Sequence, residues 1–307
     1  MESRTLKRLV PTDASALGMV RAAICGFVLV NLLLTDFVDL GRLPTTVMRP
    51  TGAMQIFPWR FYDTLVTPTG MLALKCGLIL SLAAAAAGYF TSAATKSAAL
   101  LFLFFEGLVR SFGHFNHDEM PVVYILIVLA FTPCGDAFSL DSLLGRVHKR
   151  AGDIAYGYPI LLMQALLAWS YFSSALIKLR VAGFGYFNPD NLPSLAILHS
   201  LDNLHDTHYR LAFLLPRMRE IMTLVVIVVV LWEVAFPLAI VSKIARRVIL
   251  LFGVLFHLGT IFFMNVAFPY HIAAYAVFID WPRLVARVQS WISERLGRTT
   301  NSDRVSI

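Results

Sequence analysis

The sequence has few charged residues and long stretches with none. Asp, Glu, Lys and Arg make up 15% of its 307 residues, whereas hydrophobic residues make up 58%. A soluble domain usually carries about 25% charged residues, so this scarcity excludes a large soluble domain. Apolar runs close to the length that crosses a bilayer, about 20 residues, recur along most of the chain. The composition therefore predicts an all-α, polytopic integral membrane protein with about eight transmembrane helices.

The predicted spans follow the apolar runs. They are Leu17–Leu34, Met71–Tyr89, Ala98–Phe112, Pro121–Phe131, Ala155–Leu179, Ile221–Val241, Val248–Val266 and Ile272–Val288. The eighth run is expected to leave the membrane near Asp280 and to continue as an amphipathic segment through Trp291. No internal repeat or low-complexity linker interrupts the series. We therefore expect one transmembrane domain over residues 1–307, with a core at about 15–285 and a short cytoplasmic C-terminal tail.

The chain also lacks the short motifs of several protein classes. It contains no GxSxG elbow, no Walker lysine motif and no GxGxxG fingerprint, so hydrolase, nucleotide-binding and Rossmann functions have no support. Its three cysteines stand in or beside apolar runs without a CxxC pair, which is typical of small buried residues rather than disulfide partners. The net charge of +7 is spread over loops and tails, with no basic patch among aromatic residues. We therefore expect no nucleic acid partner.

Positive residues predict the orientation in the membrane. Lys and Arg are concentrated in segments that all lie inside if the N-terminus is inside, beginning with Arg4, Lys7 and Arg8. Because cytoplasmic loops carry an excess of Lys and Arg, we expect both termini inside, in a bacterial cytoplasmic membrane. The first apolar run is not followed by a small-residue cleavage site, so we expect a retained span rather than a signal peptide. On this topology Lys178 lies near the outer face.

Lys178 is the first candidate for chemistry. It stands near the end of the apolar run Tyr156–Leu179, where an ammonium group costs several kcal/mol unless it reaches the headgroups, pairs or has a function. One interpretation is a lysine that extends to the membrane surface. The other is a buried amine that loses its proton and acts as a base near neutral pH.

A polar run, His114–Glu119, precedes the fourth predicted span. Asn116 and His117 either enter the membrane end of a cavity, where they hydrogen-bond a carbonyl or hydroxyl, or belong to an interfacial loop. His114 and His117 are three residues apart beside carboxylates, a spacing that also suits a metal. Membrane metal centres usually have repeated histidine clusters on several helices, and only the loop His205–His208 resembles a second cluster. We therefore expect no metal.

Other ionisable residues lie inside or near apolar runs. His257 and Glu233 fall within predicted spans and should face the protein interior, since each is costly in lipid. For His257 a place in a cavity is one interpretation and simple packing the other. Arg21 and Lys75 are expected to form pairs between helices. Their expected partners are Asp36, Glu106 and Glu233.

Five stretches along the chain form a pattern. They are Asn116-His117, the loop Phe131–Asp141, the lysine-bearing segment Tyr171–Leu179, Phe256-His257 and the closing segment Phe278–Arg283. In this order they resemble the HTTM family, which is the membrane portion of vitamin K-dependent γ-glutamyl carboxylase and its bacterial relatives. The likeness extends over roughly residues 15–285.

The resemblance implies a chemistry and a site. In the carboxylase, a lysine deprotonates vitamin K hydroquinone, oxygen adds, and an alkoxide formed on the way to the epoxide removes a proton from a glutamate, which takes up carbon dioxide. Lys178 matches that lysine, and His257 matches a further cavity histidine. Asn116 and His117 match groups near the hydroquinone oxygen. The resemblance thus implies an oxidoreductase, or a lyase in its carboxylating form, with a menaquinol-like quinol, oxygen and carbon dioxide, and without a metal.

The chain departs from the family pattern in two places. Ile177 stands where the carboxylase has the first of two adjacent lysines, and the large extracytoplasmic domain found there has no counterpart after Trp291. We therefore expect hydroquinone chemistry without carboxylation of glutamyl peptides by this chain alone. The expected partners are a lipid quinone and a separate protein or peptide at the outer face. The second hypothesis is a non-catalytic membrane protein for export, immunity or partner binding that keeps the fold.

Overall fold

The computed structural model describes residues 9–113, 118–147, 154–202 and 211–302, with side chains up to Trp291 in the last helix. Within these ranges every regular element is helical. The α-helices are α1 (Ala14–Leu34), α2 (Trp59–Leu65), α3 (Pro68–Ala87), α4 (Thr91–Ser111), α5 (Met120–Ala130), α6 (Leu140–Leu143), α7 (Ile154–Ala182), α8 (Asn191–Asp202), α9 (Arg219–Ala235), α10 (Leu238–Val241), α11 (Lys243–Met264), α12 (Pro269–Ala274) and α13 (Trp281–Ser302). Short 3₁₀ helices lie at Val38–Arg42, Thr45–Val47, Gly52–Ile56, Gly183–Phe187, Leu211–Met218 and Tyr275–Phe278.

Five helices in the described ranges are long and apolar enough to cross a membrane. They are α1, α3, α4, α11 and the segment Ile154–Phe187, which joins α7 to the 3₁₀ helix after it. A helix rises 1.5 Å per residue, so about 20 residues cross the roughly 30 Å hydrocarbon core. These apolar helices indicate a membrane protein, as the composition predicts. The predicted number of about eight spans is not confirmed.

Two of the predicted spans do not form one continuous helix of membrane-crossing length. The run Pro121–Phe131 lies in α5, whose 11 residues extend only about 16 Å. The run Ile221–Val241 is divided, because α9 ends at Ala235 and α10 begins only at Leu238. Pro237 lies between them and has no N–H to continue the hydrogen bonding of a helix.

The last predicted span is also divided. Ile272–Val288 is distributed over α12, the 3₁₀ helix Tyr275–Phe278 and α13. Helix α13 begins at Trp281, directly after Asp280, which is where the sequence predicts the change from a span to an amphipathic segment. Leu284 and Val288 are exposed on α13, as on a helix that is not enclosed by its neighbours.

The chain divides into two compact units. The first contains Met1–Gly113, Leu126–Ile160 and Ala276–Ile307, and the second contains His114–Ile125 and Leu161–Tyr275. The boundaries fall inside α5 and α7, so each of these helices contributes residues to both units. The single transmembrane domain expected from the sequence stays a prediction.

In the first unit, α3 packs against both α1 and α4. The fully buried Arg21 of α1 donates hydrogen bonds to the carbonyl oxygens of Ala85 at 2.7 Å and Phe138 at 2.5 Å. Arg21 thus bonds to backbone carbonyls, and the acidic partner predicted for it is not found among the described residues. Lys75 does pair as predicted, since its amine lies 3.5 Å from the carboxylate of Asp36.

Asp141 joins the loop Phe131–Asp141 to the start of α4. Its carboxylate accepts hydrogen bonds from the backbone N–H groups of Phe90 at 3.1 Å and Thr91 at 2.7 Å, and from the Thr91 hydroxyl at 2.7 Å. It therefore caps the otherwise unsatisfied N-terminus of the helix. Burial acts to raise the pKa of Asp141, but these hydrogen bonds outweigh burial, so the pKa lies below its usual value.

In the second unit, α7 packs on α9 through Ala175, Val226 and Val230. A neighbouring apolar cluster joins α8 to the 3₁₀ helix Leu211–Met218 and to the end of α11. Helices α11 and α12 are also in contact. This packing leaves several buried polar side chains of α7, α9, α11 and α12 close to one another, and these side chains form the candidate site.

Candidate functional site

Lys178 of α7 forms an ion pair with Glu233 of α9. The Glu233 side chain is 4% exposed and the Lys178 side chain 24% exposed, so the amine is directed to a buried carboxylate. Ser174, one helical turn before Lys178, donates to the same Glu233 oxygen, Oε1, at 3.3 Å. The other oxygen, Oε2, is buried without a hydrogen-bond partner among the described residues.

Tyr171 lies on the same face of α7, seven residues before Lys178. Its hydroxyl is 2.8 Å from Nε2 of His257 in α11 and 2.8 Å from the hydroxyl of Tyr275. All three side chains are buried, with His257 only 2% exposed. Within the described residues Nδ1 of His257 has no hydrogen-bond partner. This ring nitrogen is therefore an end of the three-residue group that can make a further contact.

A second histidine lies beside this group. His271 of α12 is 2.8 Å from Asp118 through Nδ1, and its backbone N–H donates to the same carboxylate at 3.1 Å. The Tyr270 backbone N–H donates to the other Asp118 oxygen at 3.2 Å. Asp118 thus holds the first turn of α12 and orients the His271 ring. The ring centroid of His271 is 5.5 Å from that of Tyr171 and 5.7 Å from that of His257.

Aromatic side chains surround the polar groups. The ring of Phe236 stacks on Tyr171 at 4.1 Å, and Trp232 meets Tyr171 at 4.9 Å. Phe256 and Phe268 pack against His257 at 5.2 and 5.3 Å between ring centroids. Such a wall excludes water and lowers the local dielectric, so the hydrogen bonds and charges inside it interact more strongly than they would in water.

The structure brings two of the four predicted site residues into the second unit. Lys178 and His257 are both there, the first bonded to Glu233 and the second to Tyr171. Asn116 and His117 lie outside the described residues, so their place beside Lys178 stays a prediction. Glu233 faces the interior, as predicted.

The histidines considered as metal ligands are also not described. His114, His205 and His208 lie outside the described ranges. Among the residues that are described, no group of three or more His, Cys, Asp or Glu side chains is arranged to hold a metal ion. The expectation of a metal-free site therefore stays a prediction.

Sequence reasoning did not assign a role to Asp118, Tyr171, His271 or Tyr275. One signal was available for His271, which stands in an apolar run and is as costly there as His257. The spacing from Tyr171 to Lys178, two helical turns, also indicated a shared face. The hydroxyl partners of the tyrosines were not visible in the sequence, because they come from helices about 100 residues away.

The loop Phe131–Asp141, which contributes to the family resemblance, has a different role in the first unit. It forms one wall of a cleft of about 830 Å³. The two carboxylates that line this cleft already have partners, since Asp136 accepts a hydrogen bond from Tyr156 at 3.0 Å and Asp141 caps α4. The loop therefore joins helices, and we place the candidate chemistry in the second unit.

Comparisons with models of protein families, with curated proteins and with solved structures find no match to this chain. The class that the fold and the site define is an all-helical membrane protein with a buried group of ionisable side chains in one unit.

Proposed function

We propose that this protein is an integral membrane oxidoreductase in which Lys178 removes a proton from a lipid-soluble hydroquinone. The observation that carries the proposal is the contact between the Lys178 amine and the buried carboxylate of Glu233. A lysine that only anchors a helix end extends toward the headgroups instead. The resemblance to the HTTM family gives the substrate class, a menaquinol-like quinol.

The pair of Lys178 and Glu233 gives the amine a way to act as a base. In a buried pair the proton can lie on the amine, as ammonium and carboxylate, or on the acid, as amine and carboxylic acid. We assign the reaction to the neutral pair, in which Lys178 is an unprotonated amine. In that form the lone pair of Lys178 is free to accept a hydroquinone proton.

The proposed reaction balances with oxygen as the second substrate. Lys178 takes the hydroxyl proton of the hydroquinone, which then reacts with oxygen. One oxygen atom enters the quinone epoxide, and the other leaves as water with the two hydroxyl hydrogens. The resemblance to the HTTM family implies that Asn116 and His117 polarise the reacting oxygen of the quinol. It also implies that His257 lines the same pocket. Carboxylation of a glutamate with carbon dioxide is a narrower form of the proposal.

We also propose a location and an orientation for the protein in the membrane. The protein lies in a bacterial cytoplasmic membrane with both termini inside, so that Lys178 is near the outer face. The quinone enters from the bilayer, and a separate protein or peptide at the outer face is the second partner.

A non-catalytic membrane protein is the second candidate, and one observation favours it. The ionisable groups of the site contact one another, since Lys178 pairs with Glu233 and Asp118 lies 2.8 Å from Nδ1 of His271. Such pairs can serve only to hold helices together. In that case replacing Lys178 would lower stability and change no reaction.

Hydroquinone turnover by the purified protein in lipid nanodiscs tests the proposal. Reduced menaquinone and oxygen are supplied, and hydroquinone loss and epoxide formation are followed by chromatography. We expect Lys178→Ala to lower the rate by about two to four orders of magnitude, the usual contribution of a general base. Lys178→Arg should not restore activity, because a guanidinium stays protonated.

Lys75→Ala is the matched control, since Lys75 also pairs with a carboxylate near a helix end but belongs to the first unit. Its turnover should equal that of the unmodified protein. Full turnover in folded Lys178→Ala would refute the role of Lys178 as the base, and no turnover in the unmodified protein would support the non-catalytic candidate.

A further inference from the structure

Tyr275, Tyr171 and His257 form a series of two hydrogen bonds. The two hydroxyls are 2.8 Å apart, and the Tyr171 hydroxyl is 2.8 Å from Nε2 of His257. The series crosses the second unit from the 3₁₀ helix Tyr275–Phe278 through α7 to α11. Its two ends are the Tyr275 oxygen and the buried Nδ1 of His257, which has no hydrogen-bond partner in the part of the chain that the structure describes.

The hydrogens of this series can be arranged in two ways. In the first, Tyr275 donates to Tyr171, Tyr171 donates to Nε2, and the imidazole hydrogen is on Nδ1. In the second, Nε2–H donates to Tyr171, Tyr171 donates to Tyr275, and Nδ1 has a free lone pair. Both arrangements keep all three groups neutral, and each makes both hydrogen bonds. The tautomer of His257 is therefore coupled to the direction of the two hydroxyls.

We infer that Tyr171 and Tyr275 carry protons between Nδ1 of His257 and the Tyr275 end of the series. When Nδ1 accepts a proton from a bound hydroxyl group, the Nε2 hydrogen passes to Tyr171, the Tyr171 hydrogen passes to Tyr275, and the original Tyr275 hydrogen passes to a water molecule at that end of the series. One proton enters, one leaves, and the first arrangement replaces the second. The opposite direction follows the same steps in reverse.

Gly253 makes room for the far end of the series. A Cβ atom at Gly253 would be 2.2 Å from the Tyr275 hydroxyl oxygen and 3.1 Å from the Trp232 ring. Only a residue without a side chain lets the hydroxyl reach Tyr171. Gly259, six residues later on the same helix α11, has nothing within 4 Å of such an atom. The two glycines therefore form a matched pair for a test.

His271 lies outside the series although its ring is close to His257. Its Nδ1 and its backbone N–H both bond to Asp118. This pair gives the site a fixed neighbour whose position does not depend on the direction of the tyrosine hydroxyls. We therefore expect variants of Tyr171 and Tyr275 to keep the hydrogen bonds between Asp118 and α12.

The first test needs no substrate and measures the His257 tautomer. Protein labelled with nitrogen-15 in histidine is studied by NMR in nanodiscs, and His257→Gln identifies the signal. We expect Tyr275→Phe to shift His257 toward the form with hydrogen on Nδ1, because Tyr171 then has only Nε2 to donate to. Gly253→Ala should have the same effect, and Gly259→Ala none. Unchanged His257 signals in folded Tyr275→Phe and Gly253→Ala would overturn the inference.

The second test rests on the proposed function and uses hydroquinone turnover. We expect Tyr171→Phe and Tyr275→Phe each to slow turnover by about a hundredfold. The double variant should be no slower than the slower single variant, since either change breaks the same series. Losses that multiply in the double variant would overturn the inference. No turnover in the unmodified protein would refute the proposed function, and the NMR test would still decide on the proton series.

Discussion

Arg21 is a fully buried cation whose observed hydrogen bonds go to the backbone. Its two donors satisfy the carbonyl of Ala85, at the end of α3, and that of Phe138, in the loop before α6. A planar guanidinium reaches two carbonyls at once, whereas an aliphatic side chain reaches neither. At the scale of single residues, Arg21 therefore connects α1 to the end of α3 and to the loop before α6.

We expect Arg21→Met to destabilise the protein by about 1–3 kcal/mol, because it removes both hydrogen bonds of the guanidinium, although the Ala85 carbonyl still accepts from the Gly88 N–H at 3.2 Å. Thermal unfolding in detergent, followed by circular dichroism, measures the change. Arg42→Ala is the control, since Arg42 makes an exposed pair with Asp39 and such pairs contribute about 0–1 kcal/mol. Equal stability of the two variants would contradict a structural role for Arg21.

Sequence reasoning identified ionisable residues of the site but not their partners. Lys178, Glu233 and His257 were visible because each is costly in an apolar run. The pairing of Lys178 with Glu233 was not visible, since the two residues are 55 positions apart and meet only when α7 packs on α9. Tyr171 and Tyr275 resemble ordinary core aromatics until the packed helices bring their hydroxyls together.

At the scale of elements, α4 depends on a carboxylate that comes from outside the helix. Asp141 is 50 residues from Thr91 and supplies the cap that a residue just before the helix usually provides. Because its folded pKa lies below the usual value, its contribution to stability is present above the unfolded pKa, about 3.9. The contribution is lost as the pH falls through the folded pKa.

We expect Asp141→Asn to lower the stability of the protein at pH 7 by about 1 kcal/mol or more. The difference from the unmodified protein should begin to shrink below about pH 4, where Asp141 of the unfolded chain becomes protonated, and should be lost below the folded pKa. Unfolding temperatures across this pH range measure the effect. Asp39→Asn is an exposed control and should change little. A difference that stays constant down to low pH would contradict the capping role.

The apolar runs predicted the long helices well and the interrupted ones poorly. The run Leu17–Leu34 became α1 and Val248–Val266 became α11, each within a few residues of the prediction. Hydrophobicity predicts burial in lipid or protein, but it does not predict where the backbone stops being helical. Pro237 interrupts the apolar run Ile221–Val241 between α9 and α10, so this run does not form one continuous helix.

At the scale of the whole molecule, the number of crossings and the side of each terminus are linked. An odd number of crossings leaves the two termini on opposite sides, and an even number leaves them on the same side. The five long helices alone would therefore separate the termini. The distribution of Lys and Arg predicts both termini inside, which requires an odd number of further crossings among the shorter apolar segments.

Labelling of single introduced cysteines tests this prediction. Cys76→Ser first removes the exposed native cysteine. Thr51→Cys and Ser290→Cys then each place a thiol at an exposed position, the first on the predicted outer side of the membrane and the second on the predicted inner side. We expect a membrane-impermeant maleimide to label Thr51→Cys in intact cells lacking an outer membrane, and Ser290→Cys only after permeabilisation. Labelling of both in intact cells would mean that α13 is outside and that the number of crossings is odd.

The capping of α12 by Asp118 has a consequence for biosynthesis. The backbone groups that hold this carboxylate belong to Tyr270 and His271, which are 152 and 153 residues further along the chain. A ribosome that adds about 5–20 residues per second reaches them roughly 8–30 s after Asp118. For that time the nascent chain must keep an acidic residue next to the apolar α5 without the groups that later satisfy it. The hydrogen bonds between Asp118 and α12 can therefore form only after α12 has been synthesised.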